Sequence, residues 1–174
     1  AERLAVVGGD GTVNFAVNVL FEQDQERLPI LGVLPAGTGC DLLRTFGISQ
    51  TLEEAARHLN GDSTYDVDVG ELTGDFGLRR FVNLAEAGIG AAAVEVATRL
   101  PRRLGTRRYL AAFGLRLPGF RSTEVEVVTE RREYRGPALA VIIANGQFFA
   151  GGWNIAPKAM LVDGEFDIQV LDVK

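Results

Sequence analysis

Val6-Val7-Gly8-Gly9-Asp10-Gly11-Thr12-Val13-Asn14 decides how the rest of the chain is read. The apolar run from Leu4 to Val7 predicts a buried strand, and Val13 to Leu20 predicts the helix that follows. Three glycines, one carboxylate and one hydroxyl lie between them. Glycine permits positive φ and lets a ligand reach the backbone without meeting a Cβ. A helix that starts there presents unpaired N–H groups and the positive end of its dipole to an anion, with phosphate the first candidate. Asp10 would repel a bare phosphate, so it points to a nucleotide carrying Mg²⁺. The alternative is a tight strand-to-helix turn in which Asp10 caps the helix through Gly11 and Thr12.

The whole chain narrows the choices. Its 174 residues can bury a core as one domain or two small ones. A hydrophobic fraction of 47% and a charged fraction of 24% are those of an ordinary globule. The single cysteine, Cys40, excludes a disulfide within the chain and suits a reducing compartment. One Cys and one His cannot make a conventional zinc site. No run of about 18 apolar residues appears, and no signal-peptide pattern. The net charge of −5 argues against a general nucleic-acid binder but leaves room for a local basic face.

Working outward, Leu28 to Leu34 predicts a second buried strand, with Pro29 at its start. Gly37-Thr38-Gly39-Cys40-Asp41 then repeats the opening device, with a helix from Asp41 to Phe46. Two such loops at the carboxyl ends of neighbouring parallel strands face one crevice. Taken alone, the second loop also reads as a simple helix entry with Asp41 near the cap. Thr51-Leu52-Glu53-Glu54 has the pattern of a capping box, and Asn60-Gly61 ends that helix. The lone histidine, His58, falls near its C-terminal end as a surface residue.

From about Asp62 the pattern changes to β. Tyr65-Asp66-Val67-Asp68-Val69 alternates as a half-buried strand, with Phe81 to Leu84 its expected antiparallel neighbour across a turn at Leu72 to Leu78. Thr123 to Thr129 and Glu133 to Arg135 predict a hairpin, Leu139 to Ala144 a central strand, and Phe166 to Val170 another strand. Asn145 to Trp153 is a glycine-rich loop. Several short strands with turn signals suggest an antiparallel sandwich. Gly88-Ile89-Gly90-Ala91-Ala92-Ala93 fits a dinucleotide fingerprint, which would make an NADP-linked oxidoreductase. The acid expected roughly 20 residues later is replaced by Arg107 and Arg108, so close helix–sheet packing is the better reading. Arg99, Arg102, Arg103, Arg107 and Arg108 alternate with Leu100 and Leu104. That pattern suits an anionic bilayer surface or, equally, a solvated helical turn.

Gly8 to Asn14 together with Leu34-Pro35-Ala36-Gly37-Thr38-Gly39-Cys40-Asp41 resembles the diacylglycerol kinase catalytic domain, a family of bacterial lipid kinases and sphingosine kinases. Val67-Asp68-Val69-Gly70, Phe81-Val82-Asn83, Gly88-Ile89-Gly90 and Pro157 to Phe166 match further landmarks in the family's order. The resemblance implies a partial NAD-kinase-like α/β nucleotide-binding domain, residues 1–61, followed by an antiparallel β-sandwich domain, residues 62–174. It implies an ATP- and Mg²⁺-dependent transfer of phosphate to a lipid hydroxyl, with diacylglycerol the first substrate. A nucleotide- or lipid-binding module of kinase ancestry without turnover is the rival.

Phosphoryl transfer needs a phosphate cradle, Mg²⁺ and a base. Backbone amides of Gly8, Gly9, Asp10, Gly11, Thr12, Val13 and Asn14, assisted by Thr38, would form the cradle. The resemblance puts Asp10, Asp41 and Asp68 in a carboxylate network organising Mg²⁺ through water. It also implies a second metal site at Met160, Asp163 and Glu165. Cys40 stands where the family usually has Asn. The chain opens on a strand and stops after one, so it is expected to continue at both ends, with the general base beyond Lys174. As it stands it is expected to bind nucleotide weakly and not to turn over. A lipid partner at the membrane surface, no nucleic acid, a cytoplasmic and peripheral location and a possible homodimer complete the expectations.

Overall fold

The computed structural model describes residues 2–23, 27–37, 39–105 and 107–172. In chain order the first elements are β1 (Arg3–Gly8), α1 (Asp10–Glu22), β2 (Ile30–Pro35), α2 (Asp41–Thr45), α3 (Leu52–Leu59), β3 (Gly70–Gly74) and β4 (Gly77–Phe81). Then come β5 (Leu84–Gly88), α4 (Ile89–Arg99), α5 (Arg107–Arg116), β6 (Thr123–Val128), β7 (Glu133–Ala144), β8 (Phe148–Phe149), β9 (Trp153–Asn154) and β10 (Asp167–Asp172). Contacts group them into two compact units, Ala1–Leu84 with Ala144–Phe166, and Ala85–Ile143 with Asp167–Lys174. These units are interleaved in sequence, whereas the division expected at residues 61 and 62 follows the order of motifs. The Asn83 carbonyl accepts the N–H groups of Asn145 (2.9 Å) and Gly146 (2.7 Å), which fastens the returning chain to the place where it left.

In the first unit β1 and β2 pair in parallel, from Arg3 opposite Ile30 to Gly8 opposite Pro35. The shared register brings both glycine loops out at the same edge. Between these strands, α1 buries Val13 and Val17, one turn apart, against Val6, Leu42, Val82 and Leu161. The helix begins at Asp10, earlier than the apolar pattern predicts, so Gly11 and Thr12 lie inside its first turn. First-turn N–H groups lack intrahelical partners in any case, which is why a glycine is tolerated there. Leu59 of α3 fills the space over Gly32 of β2, where any side chain would collide with it.

The capping box does not form. The Thr51 hydroxyl donates to the Glu54 carboxylate at 3.1 Å, and no side chain caps the helix backbone. His58 is exposed in the last turn, as expected. The hairpin expected at Tyr65–Val69 with Phe81–Leu84 is also displaced. It runs instead from β3 to β4, whose inner ends fall within the segment read as a turn, with Gly70 opposite Phe81. Gly70 has no side chain, and the Phe81 ring occupies that space. Val67 and Val69 still pack on the core and Asp66 is exposed, so the alternation reports burial without a ladder.

In the second unit β7 is central, between β10 and β5, and β6 pairs with it antiparallel. The predicted hairpin is present: the Thr129 hydroxyl accepts the Arg132 N–H at 2.9 Å across its turn. Leu139 to Ala144 lies in the central strand, as its unbroken apolar run predicts. α4 and α5 meet through Ala93, Ala97 and Ala112, small residues that allow close approach.

Candidate nucleotide site

The two glycine loops touch backbone to backbone. A Cβ on Gly9 would stand 2.7 Å from the Gly39 carbonyl oxygen, and one on Gly37 would stand 2.9 Å from both Gly9 Cα and N. Neither contact can give, because both partners are main chain. Gly8 is closed to a side chain by Thr12. Gly11 faces open space. Gly9 is the N-cap of α1, and no side chain caps that end. Of the amides expected in a cradle from Gly8 to Asn14, those of Thr12 (2.9 Å) and Val13 (3.1 Å) donate to the Gly9 carbonyl, and the Val13 side chain is buried in the core. Thr38, expected to assist, lies outside the described residues.

Asp10 does not cap its own helix. Its Oδ2 accepts the Asp41 N–H at 2.9 Å and its Oδ1 accepts the Leu42 N–H at 3.0 Å, both from the first turn of α2. One carboxylate thus ties the first loop to the second. Charge-assisted bonds of this kind stabilise by roughly 1.5–3 kcal/mol each. Asp41, only 3% exposed, accepts the Gly151 N–H on Oδ2 at 2.7 Å. Arg44 Nε lies 3.2 Å from its Oδ1, an ionic contact in which neither atom gains a hydrogen bond. Burial, and then the charge of Asp10, push the Asp41 carboxyl above the usual range, while Gly151 and Arg44 oppose them. Cys40, in the second loop just before Asp41 and 1% exposed, has its thiol pushed up to about 11, chiefly by burial.

Asp68 is engaged elsewhere in the same unit. Its Oδ2 accepts the Gly164 N–H at 2.7 Å, and its own N–H donates to the Leu161 carbonyl at 2.8 Å. This joins Asp68 to the turn carrying Met160, Asp163 and Glu165, where Asp163 Oδ1 accepts the Glu165 N–H at 3.1 Å. Met160, Asp163 and Glu165 are all exposed. Asp10 and Asp41 are brought together; among the described residues no three acidic, His or Cys side chains gather to hold a metal ion.

Residues that no motif singled out hold this arrangement. Asn145, 0% exposed, donates through Nδ2 to the carbonyls of Asp68 (2.8 Å) and Val82 (2.6 Å). Gln147 donates its N–H to the Thr45 hydroxyl at 3.1 Å and its side-chain amide to the Ala159 carbonyl at 3.1 Å. The glycine-rich loop was visible in sequence; its targets at Thr45, Asp68 and Val82, over 60 residues away, were not.

The fingerprint at Gly88 is a packing device. Gly88 has φ +134 and its missing Cβ makes room for the Leu139 carbonyl of β7. Glu86 fills the start of α4, its Oε1 accepting the Gly90 N–H at 2.7 Å. A pyrophosphate would meet that carboxylate, and the next strand, β6, pairs with β7 rather than returning beside β5 as a dinucleotide-binding unit requires. The NADP-linked reading falls on both counts.

Interlocked glycine loops on parallel strands, with an uncapped helix start between them, define a kinase-type α/β nucleotide fold. The chain belongs to the diacylglycerol kinase catalytic domain family. The model of that domain matches residues 1–72, and that of the YegS C-terminal NAD kinase beta sandwich-like domain matches residues 83–174. A "Probable lipid kinase YegS-like" protein of Shewanella frigidimarina is 32% identical over 172 residues, 97% of this chain and 54% of that protein. A diacylglycerol kinase of Bacillus subtilis is 32% identical over 173 residues, 98% of this chain and 55% of that one. A crystal structure of a diacylglycerol kinase from Bacillus anthracis superposes with a TM-score of 0.72 at 27% identity, covering 98% of this chain and 55% of that chain. The chain spans about half the length of the curated relatives it matches.

Proposed function

We propose that this chain carries the nucleotide-binding part of an ATP- and Mg²⁺-dependent lipid kinase that phosphorylates a lipid hydroxyl, diacylglycerol first. The observation that carries the reading is the start of α1: no side chain caps it, because Asp10 is turned toward α2, and Gly11 faces open space. An anion-binding end is thus left free by the residue that would otherwise fill it.

Mg²⁺ would be held near Asp10 and Asp41 through water, because both Asp10 oxygens accept N–H groups of α2 and the Asp41 oxygens face the Gly151 N–H and Arg44 Nε. The ion would neutralise charge on the transferred phosphoryl group. Asp68 would act through the turn at Asp163–Glu165, and Met160, Asp163 and Glu165 remain the proposed second metal position. The cradle would bind phosphate through backbone N–H groups at the start of α1 other than those of Thr12 and Val13, which the Gly9 carbonyl holds, and the general base would come from outside residues 1–174.

The protein would work at the membrane surface from the cytoplasm. In the second unit Leu104, Leu110, Leu115 and Leu117 are exposed alongside Arg99, Arg103 and Arg107. Each basic residue near an anionic bilayer contributes about 1 kcal/mol. Among the described residues no helix is long and apolar enough to cross a membrane. A homodimer is the proposed assembly, to be measured by light scattering.

The decisive experiment is turnover of ATP·Mg²⁺ with diacylglycerol in anionic vesicles, using the full-length protein and its Asp10→Ala variant. The reading expects transfer by the parent and none by the folded variant. Binding of ATP without transfer would make it a sensor of kinase ancestry.

A further inference from the structure

Arg44 is not part of the cradle or of any carboxylate set, yet from the last turn of α2 it reaches back to Asp41 at the end of the second loop. Three contacts define its place. Its Nε is 3.2 Å from Asp41 Oδ1, and Nε is buried without a hydrogen bond. Its guanidinium lies beneath Gly152, with Cζ and one terminal nitrogen 3.6 Å, and Nε 3.7 Å, from where a Cβ would stand. The residue beside Gly152, Gly151, donates its N–H to the other oxygen of the same Asp41 carboxylate. Arg44 and Gly151 therefore hold Asp41 from two sides.

The loop above Arg44 has an unusual backbone. Ala150, Gly151 and Gly152 have φ of +53, +88 and +116; the glycines take such angles freely, but Ala150 has no glycine freedom to excuse it. The flat guanidinium under Gly152 is a surface on which this loop rests. A planar, permanently charged group that stacks and contacts a carboxylate at once is a role for Arg that Lys does not reproduce.

We propose that Arg44 is a positioning residue: it clamps the Asp41 carboxylate and the Ala150–Gly152 loop into one geometry, and so sets the orientation of the Asp10–Asp41 pair toward the nucleotide. The inference rests on the kinase reading for its consequence, but its structural half does not. Arg44 acts through Asp41 and need not touch ATP.

The test uses the full-length protein with Arg44→Gln, Arg44→Lys and Gly152→Ala, the last straining the loop by placing a side chain at φ +116. Two quantities are read: hydrogen exchange of the Gly151 amide without ligand, and kcat and KM with ATP·Mg²⁺ and diacylglycerol vesicles. The clamp predicts that Gly151 exchanges at least about 10-fold faster in Arg44→Gln while amides of α1 are unchanged, and that Arg44→Lys recovers only part of the protection. It predicts a fall in kcat of about 10²-fold with KM for ATP within about threefold, as expected for misplacement without lost binding. Gly152→Ala should show the same signature. Unchanged Gly151 exchange in Arg44→Gln overturns the clamp. A raised KM with unchanged kcat also overturns it, because Arg44 would then be a nucleotide contact. A parent protein without turnover sinks the kinase reading alone, since the exchange result still decides on Arg44.

Discussion

Two strand–glycine–helix junctions in this molecule look alike in sequence and do opposite things. At Gly8 to Val13 the local acid, Asp10, reaches 31 residues away to the start of α2 and leaves its own helix without a side-chain cap. At Gly88 to Ala93 the local acid, Glu86, folds onto the helix it precedes and fills the place an anion would take. The glycines differ in the same sense. Gly9 meets the backbone of another loop, and Gly11 meets nothing; Gly88 is pressed against a neighbouring strand. Glycine spacing alone therefore does not mark a phosphate site. The direction of the nearest carboxylate does.

The largest effect that could break this contrast is at Asp10. Asp10→Ala should lower phosphoryl transfer in the full-length protein by at least about 10³-fold, within the range for losing a positioned ionisable group. Removing two charge-assisted bonds should also cost about 3 kcal/mol in urea unfolding. A stable, active variant would show that the link between the loops is dispensable.

Next is Gly88→Ala. Positive φ and a collision with the Leu139 carbonyl predict a loss of about 2–4 kcal/mol, read as a lower urea midpoint. ATP affinity of the molecules that remain folded should not change. An ATP-binding defect out of proportion to unfolding would make the second junction functional after all.

Gly9→Ala reverses that pattern. Its Cβ would force the two loops apart, so calorimetric titration should show ATP·Mg²⁺ affinity falling about 10-fold or more, with a stability cost nearer 1–2 kcal/mol. Equal affinity would mean that the loop-to-loop contact does not shape the cradle.

The smallest effect sharpens the other side. Burial raises the Glu86 carboxyl above its usual range, more than the Gly90 and Ala91 N–H groups lower it. A raised folded pKa contributes stability that is present below the unfolded value and fades as pH rises through the folded one. Glu86→Gln keeps an acceptor for Gly90 and removes the charge. Thermal melts from pH 4 to pH 8 should therefore fall less steeply with pH for the variant, the two differing by less than about 1 kcal/mol at neutral pH. A steeper fall would mean that the helix N-terminus outweighs burial.

Much of the architecture was legible because it depends on local pattern. The valines of β1 and α1, the apolar run of β7 and the Glu130–Arg132 turn each carry their period or turn chemistry in adjacent residues. What failed depended on partners far away. The hairpin moved because Phe81 needed the empty face of Gly70, a choice the alternation at Tyr65–Val69 does not encode. Both glycine loops were found, but Asp68 joined the turn at Gly164 rather than the Asp10–Asp41 pair. Asn145, Gln147 and Arg44 escaped notice because an amide or guanidinium shows its role only once its carbonyl or carboxylate partner is in place.

Cys40 has a use of its own. The chain carries one thiol, and it lies buried in the second loop with little thiolate at neutral pH. A thiol reagent can modify it only when that region opens, so the labelling rate measures how often the loops part. Occupancy of the cradle should slow the labelling in proportion to bound nucleotide. The protein thus contains a native chemical clock for its own site, readable without a fluorophore or an engineered label.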